Sequence, residues 1–317
     1  MAQASVDISY LNIENIETNT FDGLKNLQNL SLANNQIAEI SSATFYGLTN
    51  LTYCNLKNNK IASIEPFAFA ISSQLLEEVN LANNSLSIIQ ANTFNVQKYI
   101  RYLYLSNNNL KQILPYSFNN TKCFICDLSN NNIKTIQPNT FNTANIFEVN
   151  LSFNNIESIQ KFAFNNTYIE SISLNNNFLT LLETNTFAGL TGTNSLDMSF
   201  NFIKEVKAYS FNISLAILIL DLSNNQIDSI EANSFNGLLF VGALKLSNNS
   251  LKTIHSNVFN GSNIEQELYL EKNQLQNIES DAFRSLDSLS YLYLKNNNIT
   301  NISPNGLAGV HNATIYL

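Results

Sequence analysis

One asparagine recurs along this chain at a nearly constant interval. Asn35, Asn59, Asn84, Asn108, Asn131, Asn154, Asn177, Asn201, Asn225, Asn249, Asn273 and Asn297 follow one another at steps of 23 to 25 residues. Apolar residues keep step with it. Five positions earlier stands Leu30, Cys54, Val79 or an equivalent, and three earlier Leu32, Leu56, Leu81 and their counterparts. Two and five positions later come further aliphatics, as in Ile37 and Ile40. Ten later stands a phenylalanine, from Phe45 to Phe283, with Leu307 in its place in the last unit. One such unit cannot bury its own apolar face, so neighbours must stack and share a core. Periodicity therefore overrides the prior of about two domains that a length of 317 residues would raise.

The two leucines flank a single residue, so they share one face of a short extended segment while the residues between point outward. Neighbouring units then pair these segments into a parallel sheet. The chain must turn back at the asparagine, inside an apolar core where backbone groups lose water and need partners. A side-chain amide supplies both donors and acceptors there. The asparagine just before it, Asn176 for example, reads as a solvent-facing residue of little structural weight.

The pattern LxxLxLxxNxIxxIxxxxF resembles the leucine-rich-repeat signature. Its length and late phenylalanine are similar to the "typical" 24-residue subclass of Toll-like receptors, Slit-like guidance proteins, chaoptin-like adhesion proteins and small matrix proteoglycans. The resemblance implies an α/β-type repeat solenoid: a leucine-rich-repeat horseshoe with a concave parallel β-sheet and irregular, short 3-10 or helical convex turns. It also implies that the asparagines form a hydrogen-bonded ladder and the phenylalanines a convex spine. The organisation expected is a degenerate half-repeat over 1–26, twelve repeats over 27–311 and the start of a truncated repeat over 312–317. Cysteine-rich caps are missing, and Met1-Ala2-Gln3-Ala4 opens no export signal. The expectation is a domain taken from a longer protein.

No catalytic constellation is visible. The chain has two histidines, neither at metal-pair spacing, and nine glycines with no phosphate cradle among them. Cys123 and Cys126 resemble a redox half-site, but both occupy positions filled elsewhere by aliphatics, as does Cys54, so buried structural thiols are expected. No enzyme activity and no cofactor or metal are expected. The formal net charge of −8 argues against nucleic acid as partner. The longest strongly apolar stretch, Leu215 to Leu220, is far too short to span a bilayer.

The function expected is non-catalytic recognition of a protein, or of a glycan, on the concave face. A receptor or adhesion ectodomain at the cell surface is the first reading, and an intracellular scaffold or regulatory domain in the cytoplasm the alternative. Frequent N-x-S/T sequons, Asn119 and Asn165 among them, suit passage through a glycosylating compartment. Outward strand positions carry bulky or charged residues where other units place Ser or Asn. The candidate ligand-binding set is Tyr102, Tyr104, Ile125, Asp127, Glu148, Phe153, Asp197, Phe200, Ile219 and Asp221. Tyr269, Tyr291 and Tyr293 form a secondary aromatic cluster. Tyrosine is a common interface anchor.

Overall fold

The computed structural model describes residues 4–71, 75–94, 99–213 and 215–317. It resolves into two compact units, one of Met1–Asn155 with Ala163–Ile169, the other of Ile156–Phe162 with Glu170–Leu317. Each is a parallel β-solenoid. In the first, Ala4–Asp7, Leu27–Ser31, Tyr53–Asn55, Leu75–Asn80, Tyr99–Tyr104, Lys122–Asp127 and Asn145–Asn150 each pair in parallel with the next. In the second, Ser171–Ser173 pairs with Ser195–Asp197, followed by Leu215–Asp221, Leu238–Lys245, Ile264–Tyr269, Tyr291–Tyr293 and Thr314–Tyr316.

The register follows the sequence pattern. Leu30, Cys54, Val79 and Leu103 are successive Cα partners, all buried. A Cβ on Gly242 would lie 2.6 Å from the carbonyl oxygen of Leu218. Only glycine lets Leu238–Lys245 approach its neighbour that closely.

The asparagine ladder has a defined geometry. Nδ2 of Asn59 donates to the carbonyls of Leu56 and, one turn back, Leu32, both at 3.0 Å, while its Oδ1 accepts from the Ile37 amide at 3.1 Å. The second unit repeats this: Nδ2 of Asn225 donates to Leu222 and Met198, and its Oδ1 accepts from Ile203. One side chain thus satisfies backbone groups of two turns that no water can reach. Phenylalanines stack within each unit, with ring centroids 5.2 Å apart for Phe118–Phe141 and 5.6 Å for Phe187–Phe211.

The expectation of short 3-10 or helical turns opposite the strand face fails. Among the described residues there is no helix; the connections are hydrogen-bonded turns and two-residue parallel pairs such as Ile88–Ile89 with Gln112–Ile113. The physical cause is a recurring left-handed residue eight positions after the ladder asparagine. Phe67, Asn92, Tyr116 and Asn139 in the first unit, and Asn185, Tyr209 and Asn233 in the second, have φ between 59° and 65°. A residue in that region breaks a right-handed helix before it can propagate.

A second left-handed row corrects the reading of Asn176. The residue before every ladder asparagine has φ between 52° and 60°, Asn176 at 55°. Asparagine tolerates this conformation better than other residues with a Cβ, which explains why it fills the position so often. The row also bonds to itself: Asn58 Nδ2 donates to Asn34 Oδ1 and Asn83 Nδ2 to Asn58 Oδ1, both at 2.8 Å. Asn176 is therefore a backbone-conforming residue and not neutral surface.

Candidate functional site

The strand alternation that buries the leucines leaves its intervening side chains on the opposite face, and five of the candidate residues, Tyr102, Tyr104, Ile125, Asp127 and Glu148, stand there in the first unit. Ile125 is the Cα partner of both Tyr102 and Glu148, and Asp127 of Tyr104 and Asn150. The Tyr102 and Tyr104 rings lie 6.2 Å apart with planes 3° from parallel. Phe124 meets Tyr102 edge-on at 6.2 Å and stacks on Phe147 at 4.6 Å. The guanidinium of Arg101 lies 5.6 Å from the Tyr102 ring centroid and 3.3 Å from Glu77. The result is an aromatic platform with one pinned cation beside it and carboxylates from Glu78, Asp127 and Glu148 around it.

Phe153 follows Asn145–Asn150, the strand that carries Phe147 and Glu148, and is 53% exposed at φ 54°. A bulky ring in a left-handed backbone, with half its surface in water, is poorly explained by packing. The left-handed backbone itself is common to this position of every turn; what sets Phe153 and Phe200 apart is a bulky exposed ring where ten of the twelve turns carry Asn or Lys. Burial raises the Tyr104 phenol above its ordinary value, and nearby Glu78 adds to the effect, so it stays a neutral donor.

The remaining candidates belong to the second unit. Ser195 pairs with Ile219 and Asp197 with Asp221. Asp221 also forms an ion pair with Lys245 at 3.2 Å. Phe200, at φ 52°, and Ile219 are exposed. Tyr269 and Tyr293 stack at 4.6 Å, Tyr293 and Tyr316 at 5.0 Å, and Tyr291 flanks Tyr293 at 6.3 Å. Burial raises the Tyr269 hydroxyl, and a hydrogen bond to Glu267 raises it further.

The aspartates have a structural task that composition conceals. Oδ1 of Asp127 accepts from the Ser129 amide at 3.1 Å, Asp197 from Ser199 and Asp221 from Ser223, both at 2.9 Å. Asn55 and Asn150 do the same at the equivalent place. The row closes the turn after the strand, leaving one carboxylate oxygen of each aspartate for other partners.

Sequence reasoning missed Phe124 and Phe147, which sit one place before the first outward position. The signal was present: Cys123 and Ile146 are inward, so the next residue points out. It also missed Phe178 and Phe202, exposed and stacked at 5.5 Å in the second unit, where the other turns carry Gln, Asn, Ser or Lys. The thiols are as expected: all three are buried and unpaired, and burial pushes Cys54 and Cys123 up to about 12. Among the described residues no cluster of His, Cys, Asp and Glu could hold a metal ion. No described helix is long and apolar enough to cross a membrane.

Comparison with known proteins agrees with this architecture. A leucine rich repeat model matches residues 4–61, 25–75 and 266–314. A BspA type leucine rich repeat region model of six copies matches residues 72–190, 111–238 and 157–272. No curated protein sequence matches significantly. Among solved structures, the Drosophila Toll–Spatzle complex aligns over 96% of this chain at 22% identity and a TM-score of 0.69. This chain spans only 41% of that Toll chain. The leucine-rich repeat domain of APL1B aligns over 99% of this chain and 88% of its own length, at 20% identity and a TM-score of 0.58. An internalin from Listeria monocytogenes aligns over 99% and 86%, at 19% identity and a TM-score of 0.53. At these identities the likeness is one of fold.

Proposed function

The chain belongs to the leucine-rich-repeat family, and from that premise we propose that it is a non-catalytic recognition module that holds a protein ligand against its strand face as part of a receptor or adhesion ectodomain. The observation that carries this reading is the platform of Tyr102, Tyr104, Phe124, Ile125 and Phe147, with Phe153 beyond it. These side chains are absent from the equivalent positions of most other turns, so the fold does not require them. Stacked tyrosines supply rigid contact area at low entropic cost and keep a hydroxyl for hydrogen bonding. Carboxylates around the platform favour a partner that combines apolar anchors with basic groups, chiefly through association rate and orientation. Toll, of the same fold, is complexed with the protein Spatzle, which supports a protein as the class of ligand. The aromatic set of Tyr269, Tyr291 and Tyr293 is the second place to look for contacts.

The test is a Tyr104→Ala and Phe153→Ser pair beside Lys252→Ala as a control away from the strand face, each titrated against the ligand. A true anchor loses about 2 kcal/mol or more. Unchanged affinity in both variants, with the fold intact, would show the platform to be ordinary surface. A mobility shift on glycosidase treatment of the native protein tests the ectodomain assignment; its absence favours the cytoplasmic alternative.

A further inference from the structure

We propose that the first unit carries a second binding site, away from the strand face, for an acidic oligosaccharide. A cleft of about 500 Å³ opens between the turn segments around Lys111–Gln112 and Asn132–Gln137. That is within the usual size of small-ligand sites, roughly 300–1,000 Å³. The edge pairing that joins Ile88–Ile89 to Gln112–Ile113 does not continue to Thr135–Ile136, and the cleft lies at this interruption.

Its chemistry is one-sided. Lys111 and Lys134 occupy the same position of consecutive turns, three after the ladder asparagine, and both line the cleft. Neither has an ion-pair partner among the described residues. Among the described residues that line the cleft there is no carboxylate, although acidic residues outnumber basic ones by 24 to 16 in the chain. Two unpaired ammonium groups facing one cavity repel each other, and an anion placed between them relieves that repulsion. The rest of the lining is mostly primary amide, from Gln112, Asn132, Gln137 and Asn155. An amide offers two donors and an acceptor, which suits a ligand dense in hydroxyl groups. There is no aromatic or aliphatic anchor of the kind a protein hot spot uses. The methylenes of the lysines and glutamines offer apolar surface that suits the C–H faces of a sugar ring. Hydroxyl-rich, anionic and small together describe a carboxylated or sulfated sugar.

The experiment titrates the full chain with three probes: a heparin-derived hexasaccharide, a hexamer of galacturonic acid, and neutral cellohexaose. Saturable binding of at least one acidic probe is expected, weakening as salt is raised. The first two probes distinguish sulfate from carboxylate. The Lys111→Gln/Lys134→Gln variant removes two exposed charges, so its urea midpoint should match wild type, and its affinity should fall roughly ten-fold. Lys252→Gln, at the same repeat position in the second unit, should bind like wild type, as should Tyr104→Ala, which separates this site from the strand-face reading. The proposal is overturned if neither acidic probe binds, if cellohexaose binds equally well, or if the double variant retains full affinity.

Discussion

At Phe153 the backbone makes a prediction opposite in sign to the one an ordinary strand or turn residue would make. Its φ of 54° lies in the left-handed region, where a Cβ costs roughly 1–2 kcal/mol. Phe153→Ala and Phe153→Gly both delete the ring, so lost burial cancels between them. The alanine variant keeps the Cβ cost; the glycine variant loses it but gains unfolded-chain freedom worth about 0.4–1 kcal/mol. Phe153→Gly should therefore be the more stable by about 0.5–1 kcal/mol. At Ile125, in regular strand, the same pair should order the other way, with alanine ahead by about 0.5–1 kcal/mol. Urea midpoints of the four variants, with slopes checked for equality, give the comparison. Under the proposed reading, in which the exposed ring serves contact, both Phe153 variants should also lose ligand affinity. If Phe153→Ala equals or exceeds Phe153→Gly in stability, the left-handed strain assigned to this row fails; if both variants keep full affinity, the contact role of the ring fails.

Further outcomes follow from the same geometry. Asn177→Ala removes the acceptor of the Ile156 amide and the donor to Leu174, and should cost about 1–3 kcal/mol for each buried group left unpaired. Asn176→Gly should be tolerated while Asn176→Ala is not, by about 1 kcal/mol, which thermal or urea unfolding resolves. Because burial keeps Cys54 and Cys123 protonated to about 12, iodoacetamide at pH 8 should leave the native protein unlabelled and modify it in urea. The same shift means that the folded state holds these protons longer than the unfolded one, so stability falls as pH rises from about 8.5. Backbone amides of Ser42, Ala208 and Ser256 hold the carboxyls of Glu65, Glu231 and Glu279 below their ordinary value. Stability from these is present at neutral pH and lost as pH falls below about 4.5; Gln at all three positions should flatten the acid limb of the stability profile.

The solenoid was legible because its information is repeated. A single LxL step is ambiguous, but twelve asparagines in phase fix which residues face inward. The ladder bonds, the phenylalanine stacks and the buried thiols all follow from that register. What the sequence concealed was backbone conformation. The asparagine at 176 looks like an exposed polar residue, because nothing in its neighbours reveals that φ is positive there. The same blindness suggested helical turns, since a run such as Ser234–Phe235–Asn236 does not announce the left-handed Asn233 before it. Asp127, Asp197 and Asp221 looked like free charge, yet each closes a turn with one oxygen. Phe124 and Phe147 were overlooked because the strands there begin earlier than the leucine pair that defines them, at Lys122 and Asn145. Side-chain stacking between turns, which makes these two rings part of the platform, is a tertiary fact that no single unit encodes.

Photo-crosslinking from the two sides of one unit tests the central claim most directly. A benzoylphenylalanine replaces Phe147 on the strand face in one variant and Phe67 on the turn side in another; both native rings are exposed, at 45% and 50%. Irradiated on the cells that make the protein, the Phe147 variant should yield a discrete protein adduct that a Tyr104→Ala change abolishes, and the Phe67 variant should not. An adduct formed from Phe67 alone, or equally from both, would contradict recognition on the strand face.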